Sequence, residues 1–278
     1  MTPYKPKVKA PNPEEITRIT EILDTHALNT VCEAAACPNR GECYARKSAT
    51  FMILGDICTR ACKFCNVATG KPLPTDPTEP QRLAEAIQKL DLDYVVVTSV
   101  DRDDMNDFGA SHFARCVETI RRISSKTRIE LLTPDFRANS KALDIIIACN
   151  PDKLAHNQET VRRLSKTIRP QSDYDRSLKT LRYYADHTDR PVKSSLMLGL
   201  GETQEEITET LHDLLEVGVT QLTLGQYLQP SPAHHPVRHY YPPEFFDEMR
   251  EIALAMGFSA VASGILIRSS YFAEHLGA

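Results

Sequence analysis

Short apolar runs alternate along the chain with longer segments in which apolar residues recur every three or four positions. Six runs have the length of buried strands: FMIL (51–54), YVVVTS (94–99), RIELLT (128–133), DKLAHN (152–157), KSSLMLGL (193–200) and QLTLGQY (221–227). The segments between them, such as EPQRLAEAIQKL and SHFARCVETIRRI, have the apolar spacing of amphipathic helices. This alternation predicts a parallel sheet with right-handed crossovers.

Six strand–helix units are fewer than the eight that close a full barrel, so the pattern predicts an α/β fold of the partial (β/α)6 TIM-type barrel kind. We expect an N-terminal extension over residues 1–50, the barrel core over 51–228 and a C-terminal extension over 229–278, packed as a single compact unit. The last extension contains a Pro-rich turn, one helix and a final extended piece, GILIRSSYF. Ligands of such sheets bind at the carboxyl ends of the strands, where the loop after FMIL lies.

Charge and hydropathy exclude several classes of protein. The 278 residues include 33 basic and 37 acidic side chains, a net charge of −4, which argues against a dominant nucleic-acid surface. No apolar stretch approaches the roughly 18–20 residues of a membrane span, and MTPYKPKVKAPNPEE at the N-terminus lacks the apolar core of a secretory signal. We therefore expect a cytoplasmic protein without nucleic-acid or membrane partners.

Six of the eight cysteines fall into two groups of three, C-x4-C-x5-C and C-x3-C-x2-C, formed by Cys32, Cys37 and Cys43 and by Cys58, Cys62 and Cys65. In a reducing compartment, clustered cysteines are metal ligands or catalytic groups more often than disulfides. Thiolates select iron–sulfur clusters, zinc or copper(I). Three thiolates fit a four-iron cluster that keeps one iron open. A zinc site, which takes four ligands, is the alternative for the upstream group.

The downstream motif, in a loop after the first strand of a partial barrel, resembles that of the radical S-adenosylmethionine enzymes. Together with the upstream motif and RSSY (268–271), it makes the chain resemble the lipoyl synthase family. The resemblance extends from about residue 20 to 275, through DYVVVTSVDRDD, TPDFR, HNQETV, SLMLGLGETQEE, TLGQYLQPSP and SGILIRSSY. The chain departs from the family after DRDD, where MNDFGA replaces a common Gly-Gly pair, and at Ala233.

The resemblance implies a sulfurtransferase that inserts two sulfur atoms at C6 and C8 of a protein-bound octanoyl-lysine. Cys58, Cys62 and Cys65 would hold a 4Fe-4S cluster whose open iron binds and cleaves S-adenosylmethionine. A second, auxiliary 4Fe-4S cluster would supply the sulfur and would be held by Cys32, Cys37, Cys43 and a serine of RSSY, Ser270 or alternatively Ser269. For these serines the other interpretation is an ordinary strand end whose hydroxyls cap backbone groups.

Positions at strand ends suggest contacts to S-adenosylmethionine. Thr98 and Ser99 end the second predicted strand, where the superfamily commonly binds the methionine amino group. Asn157 and Glu159 follow the fourth strand and are expected near the ribose, while Arg169 is expected to pair with the carboxylate. Each could instead be a turn or cap residue.

The resemblance also implies partners. The carrier would be an octanoylated lipoyl domain, as in the glycine cleavage H protein or a 2-oxo acid dehydrogenase acyltransferase, and the electron donor a flavodoxin or ferredoxin. Competing hypotheses are a biotin synthase-like sulfur inserter, a methylthiotransferase, a non-catalytic iron–sulfur protein and a zinc-stabilised binding module. His234 and His235, in the Pro-rich loop PSPAHHPV, suggest a metal site, but we expect a histidine pair in such a loop to be solvated.

Overall fold

The computed structural model describes residues 13–35, 37 and 39–277. The start of the predicted N-terminal extension, on which the signal-peptide prediction rests, lies outside these residues. The described chain forms two compact units, one of residues 13–59 and 67–153 and one of residues 60–66 and 154–277. We call them the first and the second unit.

The described part of the first unit contains the α-helices α1 (Pro13–Thr25), α2 (Val31–Ala34), α3 (Arg40–Ala45), α4 (Glu79–Lys89), α5 (Ala110–Ile123) and α6 (Ser140–Ala148), and a 3-10 helix, Phe136–Ala138. Its strands are β1 (Asn29–Thr30), β2 (Ala49–Ile53), β3 (Ile57–Cys58), β4 (Ala68–Thr69), β5 (Tyr94–Ser99) and β6 (Arg128–Leu132). The strand order is β1-β2-β5-β6, with β1 antiparallel to β2 and the other neighbours parallel, while β3 and β4 form a separate parallel pair.

The second unit contains β8 (Val192–Leu198), β9 (Gln221–Gln226) and β10 (Ala260–Gly264), and β7 (Lys153–Ala155) pairs with β8 through Leu154 and Ala155. These strands are parallel in the order β7-β8-β9-β10. The helices are α7 (Arg162–Ile168), α8 (Tyr174–His187), α9 (Gln204–Glu216) and α10 (Pro243–Met256). The six predicted strands all form parallel pairs, so the predicted fold class is confirmed.

Local sequence explains most of these elements. Every residue of β2 is buried, as expected for a parallel strand covered on both faces. Helix α9 begins at a capping box, in which the Thr203 side chain accepts from the Glu206 N–H and the Glu206 carboxylate accepts from the Thr203 N–H. It ends before Gly218, whose φ of +86° suits glycine.

The final extended piece was wrongly predicted. The strand is β10, which stops at Gly264, and residues 265–277 form turns rather than a strand. Within them the Ile267 N–H donates to the Gly264 carbonyl and the Tyr271 N–H to the Arg268 carbonyl, both local bonds that replace ladder bonds. Among the described helices, none is long and apolar enough to span a bilayer.

Candidate functional site

The chain leaves β2 at Leu54, whose backbone is held on both sides. Its φ is +69°, a conformation that costs about 1–3 kcal/mol for a residue other than glycine. The Leu54 N–H donates to Glu79 Oε2 at 3.0 Å, and the Leu54 carbonyl accepts from Arg102 at 3.4 Å. The same Glu79 oxygen lies 2.6 Å from Nε2 of His112, whose side chain is fully buried. These contacts fix the point at which the cysteine loop begins.

Cys58 lies in the first unit, in β3, and contacts the segment after β5. The Asp101 N–H donates to Cys58 Sγ at 3.3 Å, and the Cys58 thiol donates to Asp101 Oδ2 at 3.8 Å. Thr59 also binds the segment after β5. Its N–H and its hydroxyl both donate to the Asp101 carbonyl, and its hydroxyl accepts from the Asp103 N–H.

Cys62 and Cys65 lie in the second unit, where the Cys65 N–H donates to the Cys62 carbonyl at 3.0 Å. Phe64, between them in sequence, packs against the buried cluster of Ile168, Leu200 and Tyr227. The Lys63 N–H donates to the Ile168 carbonyl at 2.8 Å. An aromatic anchor and a backbone bond therefore hold the turn that carries these two thiols.

His234 and His235 make backbone contacts that the sequence did not predict. Nε2 of His234 lies 3.1 Å from the Cys65 carbonyl, and the His235 N–H donates to the Lys63 carbonyl at 2.9 Å. His235 Nε2 also lies 3.0 Å from the Leu200 carbonyl. Both residues are half-buried and support the backbone of the cysteine turn. The sequence predicted a Pro-rich turn here, but not what the turn would contact.

Of the upstream cysteines in the first unit, Cys32 lies in α2 and Cys43 in α3, and Cys37 lies between these two short helices. Cys32, in α2, is buried, whereas Cys37 and Cys43 are partly exposed. The Cys37 N–H donates to the Cys32 carbonyl at 3.1 Å. Burial is the main cause that raises the pKa of the Cys32 thiol to about 11. A metal bond is the usual means of stabilising such a buried sulfur as thiolate.

The two serines of RSSY lie in the turns of residues 265–277 and are partly exposed. The Ser269 carbonyl accepts a hydrogen bond from Nζ of Lys193 at 2.7 Å. The role predicted for Ser270 stays a prediction.

Three of the residues predicted to contact S-adenosylmethionine lie close together in the second unit. The Asn157 amide donates to Glu159 Oε1 at 3.1 Å, and the nearby Arg169 guanidinium interacts electrostatically with Glu159. Loss of solvent raises the pKa of Glu159 above its usual value, against the opposing effects of Arg169 and Asn157. Arg169 is buried and donates to the Gln158 carbonyl at 3.1 Å.

Buried polar atoms without partners mark three of these predicted positions. They are Ser99 Oγ in the first unit and Asn157 Oδ1 and Arg169 Nε in the second. Thr98 and Ser99 themselves end β5, where burial gives way to partial exposure. Since an unsatisfied buried polar atom costs about 1–3 kcal/mol, such atoms fit a polar ligand.

The cysteines of the two groups are thiols that an iron–sulfur cluster can take as ligands. All eight are free thiols. Across residues 13–35, 37 and 39–277 no three His, Cys, Asp or Glu side chains are gathered closely enough to hold one metal ion. A four-iron cluster takes each thiolate on a different iron, so its ligands do not converge on one atom.

Comparison with known proteins defines the class. The family model of the Radical SAM superfamily matches residues 52–214, more than half of the chain. The fold is similar to that of the FeFe-hydrogenase maturase HydG from Carboxydothermus hydrogenoformans, with a TM-score of 0.60 at 13% identity over 89% of this chain and 65% of that one. The chain is a radical S-adenosylmethionine enzyme.

Curated relatives narrow this class. A lipoyl synthase of Mannheimia succiniciproducens is 55% identical over 271 residues, covering 96% of this chain and 85% of the relative. One of Methylococcus capsulatus is 52% identical over 274 residues, covering 98% and 85%. The chain belongs to the lipoyl synthase family, and the predicted family and activity are confirmed.

Proposed function

We propose that the two cysteine groups divide the work of a lipoyl synthase. Cys58, Cys62 and Cys65 hold the cluster that binds S-adenosylmethionine, and Cys32, Cys37 and Cys43 hold the auxiliary cluster. The observation that carries this division is the presence of two separate groups of three free thiols, each one ligand short of four. When bound, the first cluster and S-adenosylmethionine supply radical chemistry, and the auxiliary cluster supplies sulfur.

Around the first cluster the protein binds and orients. Asp101 contacts Cys58 Sγ through its N–H and its carboxylate and so orients that sulfur. Phe64, packed against Ile168, Leu200 and Tyr227, holds the turn that carries Cys62 and Cys65.

In our proposal the unsatisfied atoms of Ser99, Asn157 and Arg169 bind polar groups of S-adenosylmethionine, together with Thr98 and Glu159. A carboxylate like that of Glu159 accepts hydrogen bonds from ribose hydroxyls, and a guanidinium like that of Arg169 pairs with the methionine carboxylate. Ligand binding would remove the energetic cost of leaving these atoms unpaired.

Ser270 is the proposed fourth ligand of the auxiliary cluster, with Ser269 as the alternative. An alkoxide oxygen is a harder ligand than a thiolate, so this corner of the cluster is the labile one. Lability suits a cluster that gives up its own sulfur.

The substrate we propose is an octanoyl group on the lysine of a lipoyl carrier domain, of the glycine cleavage H protein or of a 2-oxo acid dehydrogenase acyltransferase. A flavodoxin or ferredoxin would provide electrons, and the cytoplasm would be the location. Family membership supports the carrier class, while the particular carrier and donor rest on resemblance alone.

Separating radical generation from sulfur transfer tests the division of roles. A variant with Ala at Cys32, Cys37 and Cys43 should still cleave S-adenosylmethionine but form no carbon–sulfur bond on an octanoyl-lysine domain. The converse Cys58, Cys62 and Cys65 variant should keep about half of the roughly eight irons and cleave no S-adenosylmethionine. Mass spectrometry of the carrier and detection of 5′-deoxyadenosine are the measurements. Lipoyl product from the first variant would refute the sulfur-donor role.

A further inference from the structure

A lysine with no role in the proposed chemistry is buried in β8. Lys193 has 0% relative exposure, and its Nζ donates to the Ser269 carbonyl at 2.7 Å. Lysine is rarely buried to this extent, because removing its amine from water is costly unless the amine finds acceptors. The bond to Ser269 therefore indicates a specific use for this side chain.

The segment that contains Ser269, residues 265–277, contacts β9 at two positions along the strand, Gln221 and Gly225. A Cβ atom built on Gly225 would come within 2.0 Å of the Ile267 carbonyl oxygen. A Cβ atom on Gly277 would come within 2.1 Å of Gln221 Nε2. Lys193 pairs in register with Gln221, so its side chain starts beside the point where Gly277 contacts β9. We call residues 265–277 the C-terminal segment.

The arginine of RSSY fastens the first turn of the C-terminal segment. Arg268 Nη1 donates to the Ile267 carbonyl at 2.6 Å and to the Ile265 carbonyl at 3.3 Å. The following turn closes by the bond from the Tyr271 N–H to the Arg268 carbonyl at 3.0 Å. The serines thus lie in a turn whose start is held by Arg268 and Gly225 and whose middle is held by Lys193.

We propose that Lys193 is a positioning residue that sets the direction of the Ser270 side chain. The Ser269 carbonyl and the Ser270 N–H belong to one planar peptide group, so a bond to that carbonyl fixes the plane from which Ser270 extends. A ligand oxygen must be held in a narrow geometry to bind a metal. This inference rests on the proposed function, in which Ser270 binds the auxiliary cluster.

The first test uses metal-free protein, so that no cluster contributes to the result. In Lys193→Met the C-terminal segment should exchange its backbone amide hydrogens about 3- to 10-fold faster, because loss of one buried hydrogen bond favours local opening to that extent. Mass spectrometry of peptides covering the turn amides of Ile267, Tyr271 and His275 measures the change. Amides of β2 and β5 should keep their wild-type rates.

Matched variants separate the bond from a general loss of packing. Thr223 is buried in β9 and its Oγ1 has no hydrogen-bond partner in the described structure, so Thr223→Val should leave the C-terminal segment unchanged. Gly225→Ala should loosen the segment as Lys193→Met does, because the new methyl group displaces Ile267. If methionine disturbs the fold, Lys193→Gln is the second variant, because the glutamine side chain is too short to reach Ser269.

Wild-type exchange of the C-terminal segment in a folded Lys193→Met or Lys193→Gln variant overturns the proposal. Loss of protection throughout β8 and β9 in both variants also overturns it, since Lys193 would then support the sheet rather than the segment.

A second measurement distinguishes this inference from the proposed function. In protein that lacks Cys58, Cys62 and Cys65, only the auxiliary cluster forms, and its Mössbauer spectrum reports each iron. Ser270→Ala should change the signal of one iron. Lys193→Met should change the signal of the same iron by a smaller amount. If Ser270→Ala leaves the spectrum unchanged, the proposed ligand is wrong, whatever the exchange data show. If only Lys193→Met leaves it unchanged, Ser270 is a ligand and the positioning role fails.

Discussion

Replacing Glu79 by alanine should weaken the exit of the cysteine loop from β2. Its Oε2 accepts from the Leu54 N–H at 3.0 Å and lies 2.6 Å from His112 Nε2. Arg115 Nη2 lies 3.1 Å from the other ring nitrogen of His112. Because a guanidinium only donates, that nitrogen accepts, and the Nε2 N–H donates to Glu79.

The alanine variant therefore leaves two buried donors, on Leu54 and His112, without their acceptor. Each unsatisfied donor costs about 1–3 kcal/mol, so the free energy of unfolding should fall by about 2–6 kcal/mol. For a chain of this size 1 kcal/mol corresponds to roughly 2–4 °C in Tm, which gives a decrease of about 4–24 °C. Glu79→Gln keeps one acceptor oxygen and should lose about half as much or less.

The assay is thermal unfolding of metal-free protein, combined with amide hydrogen exchange at Leu54. Glu85→Ala is the matched control, because Glu85 lies on the same helix and its recorded bond is an exposed one from Gln81. That change should stay within about 0.5 kcal/mol of wild type. Equal Tm values for the Glu79→Ala and Glu85→Ala variants, with unchanged exchange at Leu54, would refute the reasoning.

Two further predictions concern the second unit. Because burial raises the pKa of Glu159, its contribution to stability is present at pH values below the unfolded-state pKa and is lost as pH rises through the folded-state pKa. Unfolding measured from pH 4 upward should therefore show wild type losing stability relative to Glu159→Gln, and parallel profiles would contradict this. Phe64→Ala removes a partly buried ring that packs on Ile168, Leu200 and Tyr227. It should lower the free energy of unfolding by about 1–2 kcal/mol and speed loss of the reconstituted cluster in air. Phe64→Leu is its control and should retain most of both properties, whereas equal behaviour of the two variants would show that the ring does not hold the turn.

Local sequence was sufficient for most of the fold. The strands and helices follow from the period of apolar residues, which each segment carries in itself. The cysteine groups were equally visible, because ligand spacing within a loop is a property of a few neighbouring residues. The error at GILIRSSYF, residues 264–272, arose because an apolar run resembles a strand even where local turns take its hydrogen bonds.

The contacts that support the site could not be found in this way. Glu79 meets Leu54 across 25 residues, His234 meets Cys65 across 169, and Lys193 meets Ser269 across 76. No local pattern distinguishes these side chains from a helix-start acid, a loop histidine or a strand lysine. The order of strands and helices and the grouping of the cysteines along the chain can be read from short segments, because those properties are local. Which distant acceptor each buried donor meets depends on the fold, because strands and loops far apart in the chain come to lie side by side.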